Sequence, residues 1–204
     1  ILVRHGESLW NKKGLWTGFT DIGLSPKGKK ESRTAGEKLK GFSVDIAYTS
    51  PLIRAKQTLD EMKKILNISG IPTFESAALN ERDYGIFTGK NKWDIQKEVG
   101  EENFKKLRRG WDFPIKEGET LKNVYQRVIP YYESEILPKL KEGKNILIVA
   151  HGNSLRALVK YLENLSGNEV ESLEIATGEI YIYNIDRNGR IISKETRMSS
   201  SVTS

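Results

Sequence analysis

Short apolar runs alternate with amphipathic helical patterns along most of this 204-residue chain, and no other feature limits its possible folds as much. The apolar runs predict strands at residues 1–4, 44–49, 72–75 and 145–150. Helical spacing of apolar residues predicts helices over residues 26–40, 51–66, 93–109 (as one or two helices), 121–137 and 154–165. Strands that alternate with helices favour a mainly parallel sheet covered on both faces. We therefore expect an α/β three-layer sandwich, with residues 1–204 as a single domain.

Local signals refine this expectation at two places. Ser25 followed by Pro26 is typical of a helix start, with a capping side chain and then proline at the first helical position. Near the end of the chain, EIYIYNIDRNGRIISKET (residues 179–196) alternates around Asn188-Gly189 and predicts a hairpin. The serine-rich tail from Met198 to Ser204 is expected to be mobile.

The chain has only two histidines, and both follow apolar runs. His5 comes directly after LVR and His151 after NILIVA, and glycine follows each of them. Ligands of open α/β sheets bind outside the carboxyl ends of the strands. We therefore expect both imidazoles to face one crevice at that edge.

Composition limits the class of partner. A net charge of +6 and a pI near 9.3 suit an anionic partner, either nucleic acid, a membrane surface or a small phosphorylated substrate, although a solvated excess of lysine would give the same charge. The lysines lack the interleaved aromatic residues of nucleic-acid binders, and no apolar run is long enough to span a membrane. The absence of cysteine fits a cytoplasmic protein, and no signal peptide is visible.

The segment around His5 suits phosphoryl chemistry. A neutral imidazole is a good nucleophile towards phosphorus, and the guanidinium of the preceding Arg4 can bind phosphate oxygens in bidentate fashion. Arg54 follows a predicted strand end, and Glu81 could serve as a general acid or base. Each residue also has an ordinary structural interpretation: a histidine packed beside a strand, a solvated helix arginine, or a loop glutamate in water.

Two other kinds of site fit the sequence poorly. Two distant histidines without an HExxH pattern make a weak metal-ligand set, so no metal is expected. GLSPKGKK (residues 23–30) approaches the P-loop pattern, but Lys30 replaces the required Ser or Thr and Pro26 lies inside it.

Taken together, several segments resemble one family. LVRHGESLWN is similar to the phosphohistidine signature of the phosphoglycerate mutase family, within the histidine phosphatase superfamily. Further segments resemble the cofactor-dependent branch of that family: LWTGFTDIGLSPKG, AYTSPLIRAKQT, LNERDYGIFTGKNK, GEENFKKLRRGWD and VAHGNSLRALVKYLENLS. The resemblance covers nearly the whole chain.

The resemblance implies interconversion of 3-phosphoglycerate and 2-phosphoglycerate through a phosphohistidine, primed by 2,3-bisphosphoglycerate. It implies that His5 is the nucleophile, that Arg4, Arg54 and His151 surround the transferred phosphoryl, and that Glu81 exchanges the proton. Residues expected to line the phosphate site are Ser8, Asn11, Thr17, Gly18, Gly152 and Asn153. Those expected to hold the substrate's carboxylate and second phosphate are Tyr84, Lys92, Arg108 and Arg109. A homo-oligomer, either a dimer or a tetramer, is also implied.

Three departures and two rival functions accompany this resemblance. The chain is short between residues 111 and 120, Asp83 stands where the family often has histidine, and the tail is divergent. A phosphatase of the same superfamily would transfer the phosphoryl group to water and would have little use for Lys92 or the Arg108-Arg109 pair. A non-catalytic binder of anionic polymers would lose affinity steeply with salt.

Overall fold

The computed structural model describes residues 1–198, and six strands in it form one mixed sheet in the order β3-β2-β4-β1-β5-β6. The strands are β1 (Leu2–Arg4), β2 (Ile46–Thr49), β3 (Thr73–Glu75), β4 (Ile146–Ala150), β5 (Ile180–Ile185) and β6 (Ile191–Arg197). Strands β3, β2, β4 and β1 run parallel to one another, whereas β5 is antiparallel to β1 and forms an antiparallel hairpin with β6 at one side. The predicted mainly parallel sheet and the predicted hairpin are confirmed.

Helices cover both faces of the sheet. They are α1 (Leu9–Lys12), α2 (Pro26–Lys38), α3 (Ile53–Leu66), α4 (Lys92–Val99), α5 (Glu101–Arg109), α6 (Leu121–Tyr131), α7 (Leu137–Lys141), α8 (Gly152–Leu162) and α9 (Gly167–Ser172). Alternate strand residues point to opposite faces, so Val149 packs with α2 and α3 while Ile148 packs with α6 and α8. This arrangement confirms the three-layer sandwich.

Most helix boundaries follow the sequence signals. Ser25 accepts a hydrogen bond from the Gly28 N–H and caps α2, as predicted. The segment 93–109 is two helices, because Gly100 between them has φ of +79°, which helix residues do not adopt. The predicted helix 121–137 continues through a π-helical turn (Tyr132–Ile136) into α7.

Other boundaries were predicted wrongly. Helix α3 begins at Ile53, two residues after the predicted start, and α8 begins at Gly152, two residues before it. The short helices α1 and α9 were not predicted, because four and six residues are too few to show an apolar period. The predicted tail from Met198 onwards lies, apart from Met198 itself, outside the described residues.

Strand register brings the two histidines together. Arg4 and Ala150, the last residues of β1 and β4, are directly paired, and the residue that follows each strand is a histidine. Thr49 of β2 pairs with Val149, which brings Ser50 to the same edge. A third apolar cluster, built around Trp16 and Tyr84, stands apart from the two sheet cores. Within residues 1–198, every helix is too short or too polar to cross a bilayer.

Candidate active site

His5 and His151 lie side by side at the carboxyl edge of the sheet. Both imidazoles are buried, with ring centroids 4.9 Å apart and ring planes at 60°. Nδ1 of His5 lies 2.7 Å from the Gly6 carbonyl oxygen, which can only accept, so this nitrogen carries the proton. Nε2 of His5 therefore keeps its lone pair and is the nitrogen available as a nucleophile.

His151 presents a different arrangement. Its Nε2 lies 2.6 Å from the Ser50 hydroxyl, while its Nδ1 has no hydrogen-bond partner among the described residues. It is also the N-cap residue of α8, where the helix dipole favours negative charge. A nitrogen free to contact an anion thus lies beside a helix end that favours one.

Both imidazoles are neutral at physiological pH. Burial lowers the pKa of His5 well below its usual value, and the nearby charges of Arg54 and Arg4 lower it further. Burial is also the main cause of the lowered pKa of His151, again helped by Arg54. A neutral His5 satisfies the requirement for nucleophilic attack on phosphorus without prior deprotonation.

Arg4 and Arg54 supply positive charge next to the histidine pair. Arg54 is 1% exposed and donates to the carbonyl oxygens of Thr20 (3.0 Å) and Gly18 (2.8 Å). Arg4 donates to the Ile175 carbonyl at 2.5 Å, and its Nε has no partner within residues 1–198. Carbonyl oxygens orient these guanidinium groups, and the nearby Glu81 carboxylate offsets only part of their combined charge. The site therefore favours an anion.

Glu81 is a buried, ionised carboxylate rather than a solvated loop residue. One of its oxygens accepts hydrogen bonds from the Arg82 N–H (2.8 Å), the Asn153 N–H (3.1 Å) and the Asn153 side chain (2.9 Å). Burial alone would raise the pKa of Glu81, but these hydrogen bonds and the charges of Arg4 and Arg54 hold it at about 2. Glu81 can therefore accept a proton at neutral pH.

Two small adjoining cavities open beside these groups. The inner cavity, of about 50 Å³, is lined by Arg4, His5, Asn11, Trp16, Thr17, Arg54, Glu81, Tyr84 and Lys92. The outer cavity, of about 80 Å³, is lined by Arg4, Trp16, Glu81, Tyr84, Lys92, Arg108, Arg109, Gly152, Asn153, Arg156, Glu174 and Ile175. The hydroxyl of Thr17 has no partner among the described residues, so the inner cavity offers a further free polar group. The two cavities share five wall residues, which are Arg4, Trp16, Glu81, Tyr84 and Lys92, so they lie side by side.

Most of the residues predicted for substrate binding line these cavities, but two do not. The Ser8 hydroxyl accepts from the Asn11 N–H and caps α1, and Ser8 lines neither cavity. Gly18 takes part only through its carbonyl oxygen, which accepts from Arg54; its φ of +52° lies in the region that favours glycine. Both residues thus lie behind the cavity surface.

Cations also line the outer part of the site. Lys92 lies over the Trp16 ring, with Nζ 5.5 Å from its centroid, and Arg108 lies over Phe104 at the same distance. Burial lowers the pKa of Lys92 to about 8, and the charge of Arg108 contributes. This ammonium group is the cavity cation whose charge changes closest to physiological pH.

The pKa of Lys92 predicts a pH dependence. Lys92 is charged below about pH 8 and loses its charge as pH rises, so affinity for an anionic substrate should fall on the alkaline side. We expect kcat/KM for the anionic substrate to drop about tenfold between pH 7.5 and 9, because most Lys92 side chains lose their charge over this range. The parameter kcat/KM is the suitable one, since it reports pKa values of the free enzyme. Lys92→Arg, which stays charged, should remove this decline. A decline that persists in Lys92→Arg would assign it to another group.

Sequence reasoning missed several residues that build the site. Arg156 lies in the outer cavity and donates to Oδ1 of Asn153 at 2.8 Å, which orients that amide towards Glu81. Arg127 donates to the carbonyl oxygens of Ala78, Asn80 and Glu81 and thereby holds the loop that carries Glu81. Both arginines occur within amphipathic helical patterns, where a solvated interpretation is the ordinary one.

A metal ion fits this site less well than an anion does. Ligand atoms of His5, Glu81 and His151 lie within 4.8 Å of one another, so the three side chains could in principle converge on a cation. Arg4 and Arg54 stand beside the same group, and because their two positive charges exceed the single negative charge of Glu81, they would repel a divalent ion. The same charges would stabilise a phosphoryl group.

A buried histidine pair ringed by arginines at the carboxyl edge of this sheet is characteristic of a phosphoryl-transfer enzyme. The chain belongs to branch 1 of the histidine phosphatase superfamily, whose family model matches residues 1–196.

Several proteins of known sequence or structure are similar to this chain. A 2,3-bisphosphoglycerate-dependent phosphoglycerate mutase of Parvibaculum lavamentivorans is 48% identical over 96% of this chain and 94% of its own length. Among solved structures, Bacillus stearothermophilus YhfR superimposes with a TM-score of 0.81 at 25% identity, over 93% of this chain and 92% of its own. A phosphoserine phosphatase of Entamoeba histolytica, solved with 3-phosphoglyceric acid, superimposes with a TM-score of 0.77 at 25% identity, over 97% and 96% of the two chains.

Proposed function

We propose that this protein is an isomerase that interconverts 3-phosphoglycerate and 2-phosphoglycerate in glycolysis and gluconeogenesis, through a phosphohistidine at His5. The observation that carries the proposal is a neutral, buried His5 with a free Nε2 in a cavity whose cations extend well beyond the reacting centre. The substrate has a phosphate at one end and a carboxylate at the other. Relatives that share up to 48% identity carry the name of this mutase.

The phosphoryl group would be transferred within the inner cavity. The lone pair of His5 Nε2 attacks phosphorus, and the bond from phosphorus to the substrate oxygen breaks. Arg4 and Arg54 contact the equatorial oxygens, where negative charge is concentrated in the transition state. His151 lines neither cavity in the free protein, so a hydrogen bond from its Nδ1 to one of these oxygens, with Nε2 accepting from Ser50, would require a small shift of the cavity wall on binding.

Glu81 would move the proton that accompanies each transfer. When phosphorylated His5 returns its phosphoryl group to the substrate, the attacking hydroxyl loses a proton to the Glu81 carboxylate. In the reverse direction, the departing oxygen takes that proton back as the bond to phosphorus breaks. The pKa of Glu81 is about 2 in the free protein. It should rise once phosphate oxygens partly neutralise Arg4 and Arg54, and this rise brings the pKa of Glu81 closer to that of an acid-base catalyst.

The outer cavity would hold the non-reacting end of the substrate. Lys92, Arg108 and Arg109 line it, together with the amide of Asn153 and the hydroxyl of Tyr84. A phosphatase for simple phosphomonoesters would gain little from these cations. They fit a molecule with two anionic ends, and the priming compound 2,3-bisphosphoglycerate fits the same description. With one end in the outer cavity and the other in the inner cavity, 2,3-bisphosphoglycerate would supply the phosphoryl group that first loads His5.

A direct assay separates this function from phosphatase activity and from metal catalysis. We expect conversion of 3- to 2-phosphoglycerate to proceed with a chelator present and to depend on catalytic amounts of 2,3-bisphosphoglycerate. Release of inorganic phosphate in the same reactions should be much slower than isomerisation. Full activity without 2,3-bisphosphoglycerate, or loss of activity with the chelator, would contradict the proposal.

Two further parts of the proposal concern the oligomeric state of the enzyme and its location in the cell. A homo-oligomer, either a dimer or a tetramer, is supported by the exposed edge strand β3, whose Phe74 is 49% exposed. A cytoplasmic location is supported by the absence of cysteine and by the glycolytic reaction itself.

A further inference from the structure

The outer cavity contains a carboxylate that none of the steps above uses. Among the described residues that line this cavity, Glu81 and Glu174 are the only carboxylates, and they face a larger number of cations. Glu81 is held by hydrogen bonds from Arg82 and Asn153. Glu174 lies between α9 and β5, and its carboxylate forms an ion pair with Arg109.

Glu174 is placed so that it can leave this ion pair. Its side chain is 66% exposed, whereas that of Arg109 is 20% exposed. The other contact of the Arg109 guanidinium is a long one, 3.5 Å to the Leu173 carbonyl oxygen. An exposed ion pair with a single charged contact is weak, because water competes for both partners.

The charge of Glu174 lies in the field of the cations proposed to hold the substrate. Partial burial would raise the pKa of this carboxyl group, but Arg109, Arg108 and Arg4 keep it below its usual value. The group is therefore ionised at neutral pH. An incoming anion meets both repulsion from Glu174 and competition for Arg109.

We propose that Glu174 is a displaceable counter-ion of Arg109 that weakens the binding of two-headed anions and thereby speeds their release. This inference rests on the proposed function, since it concerns the non-reacting end of the phosphoglycerate. In the free protein Glu174 occupies the position that the substrate's anionic end takes on binding. A site with many unpaired cations would otherwise hold a strongly charged product for a long time.

The alternative role for Glu174 predicts the opposite result. If its carboxylate held Arg109 in the orientation that binds substrate, removing the charge would loosen Arg109 and weaken binding. If Glu174 competes with substrate, removing the charge strengthens binding. The sign of the change in affinity therefore decides between the two roles.

The test compares Glu174→Gln with Glu102→Gln by calorimetric titration. Glu102 is an exposed residue of α5 that pairs with Lys106 and lines neither cavity, so its variant makes the same charge change elsewhere. We expect Glu174→Gln to lower the Kd for 3-phosphoglycerate about three- to tenfold. The Kd for inorganic phosphate, a one-headed probe for the inner cavity, should change little, and Glu102→Gln should leave both values unchanged.

A double-mutant cycle completes the test. The gain in affinity for 3-phosphoglycerate from Glu174→Gln should largely vanish in an Arg109→Ala background, because Glu174 and the substrate compete for Arg109. An unchanged or higher Kd for 3-phosphoglycerate in Glu174→Gln would overturn the inference, as would equal tightening for inorganic phosphate. Failure of the wild-type protein to bind or isomerise 3-phosphoglycerate would instead overturn the proposed function, so the two failures are distinguishable.

Discussion

Replacing His5 with alanine is expected to reduce kcat for isomerisation by at least about 10⁴-fold, because the nucleophile is lost and no second group is placed to replace it. His5 lines the inner cavity with a free Nε2, whereas His151 lines neither cavity and has its Nε2 against Ser50. The loss should appear in kcat, while the Kd for 3-phosphoglycerate, which depends mainly on the cations, should change far less.

The control for this variant is a measurement of folding. Alanine leaves space where a buried imidazole stood, so thermal unfolding and circular dichroism should show that His5→Ala keeps the native fold. Residual isomerase activity above about 1% in a folded variant would contradict the assigned role, since removal of a covalent nucleophile costs far more than that.

The second large effect is expected at Glu81. Glu81→Gln should lower the kcat of isomerisation by about 10²- to 10⁴-fold, the usual contribution of a positioned acid-base group. Glutamine has nearly the same shape, and its carbonyl oxygen can still accept the hydrogen bonds from Arg82 and Asn153. The change therefore removes proton transfer while leaving the loop in place.

A substrate with a good leaving group distinguishes proton transfer from a structural defect. Phosphorylation of His5 by p-nitrophenyl phosphate releases a phenolate that needs little protonation, so the burst of p-nitrophenol should be much less affected by Glu81→Gln. Equal losses in both reactions would show that Glu81 acts on the geometry of the site and not on the proton.

The sheet was predictable because each strand carries its own signal. Runs such as ILIVA are apolar on both faces, as a strand covered by two helical layers must be, and they alternate with helices of clear period. Helix α8 began earlier than predicted because His151 and Gly152 carry no apolar period. The start of α8 is fixed instead by hydrogen bonds between the His151 backbone and the Ser154 hydroxyl, which cap the helix.

The placement of His5 and His151 could also be predicted, because each follows a strand and parallel strands end at one edge. The buried position of Glu81 could not. Its loop is held by Arg127, 46 residues further along the chain, which donates to the Glu81 carbonyl oxygen at 2.9 Å and pairs with Glu119. A long-range contact of this kind leaves no periodic trace, so the residues alone offered Glu81 as a candidate acid or base that could equally be a solvated loop glutamate, and the family resemblance favoured the first interpretation.

The carboxylate at Glu174 was missed for a related reason. A glutamate between a short helix and a strand is ordinary in a sequence, and its meaning depends on the cations around it. Those cations come from α4, α5 and α8 as well as β1, which are far apart in the chain. The chemical roles of the site residues stay predictions, whereas their assembly around two adjoining cavities at one edge of the sheet is a property of the structure.

The central claim is that His5 carries the phosphoryl group, and its most direct test is to locate that group. The protein would be incubated with 2,3-bisphosphoglycerate, quenched under alkaline conditions that preserve phosphohistidine, digested and analysed by mass spectrometry. We expect phosphate on the peptide that contains His5, and its loss on addition of 3-phosphoglycerate. Phosphate on His151, or an unmodified His5 in protein that is actively isomerising, would contradict the account.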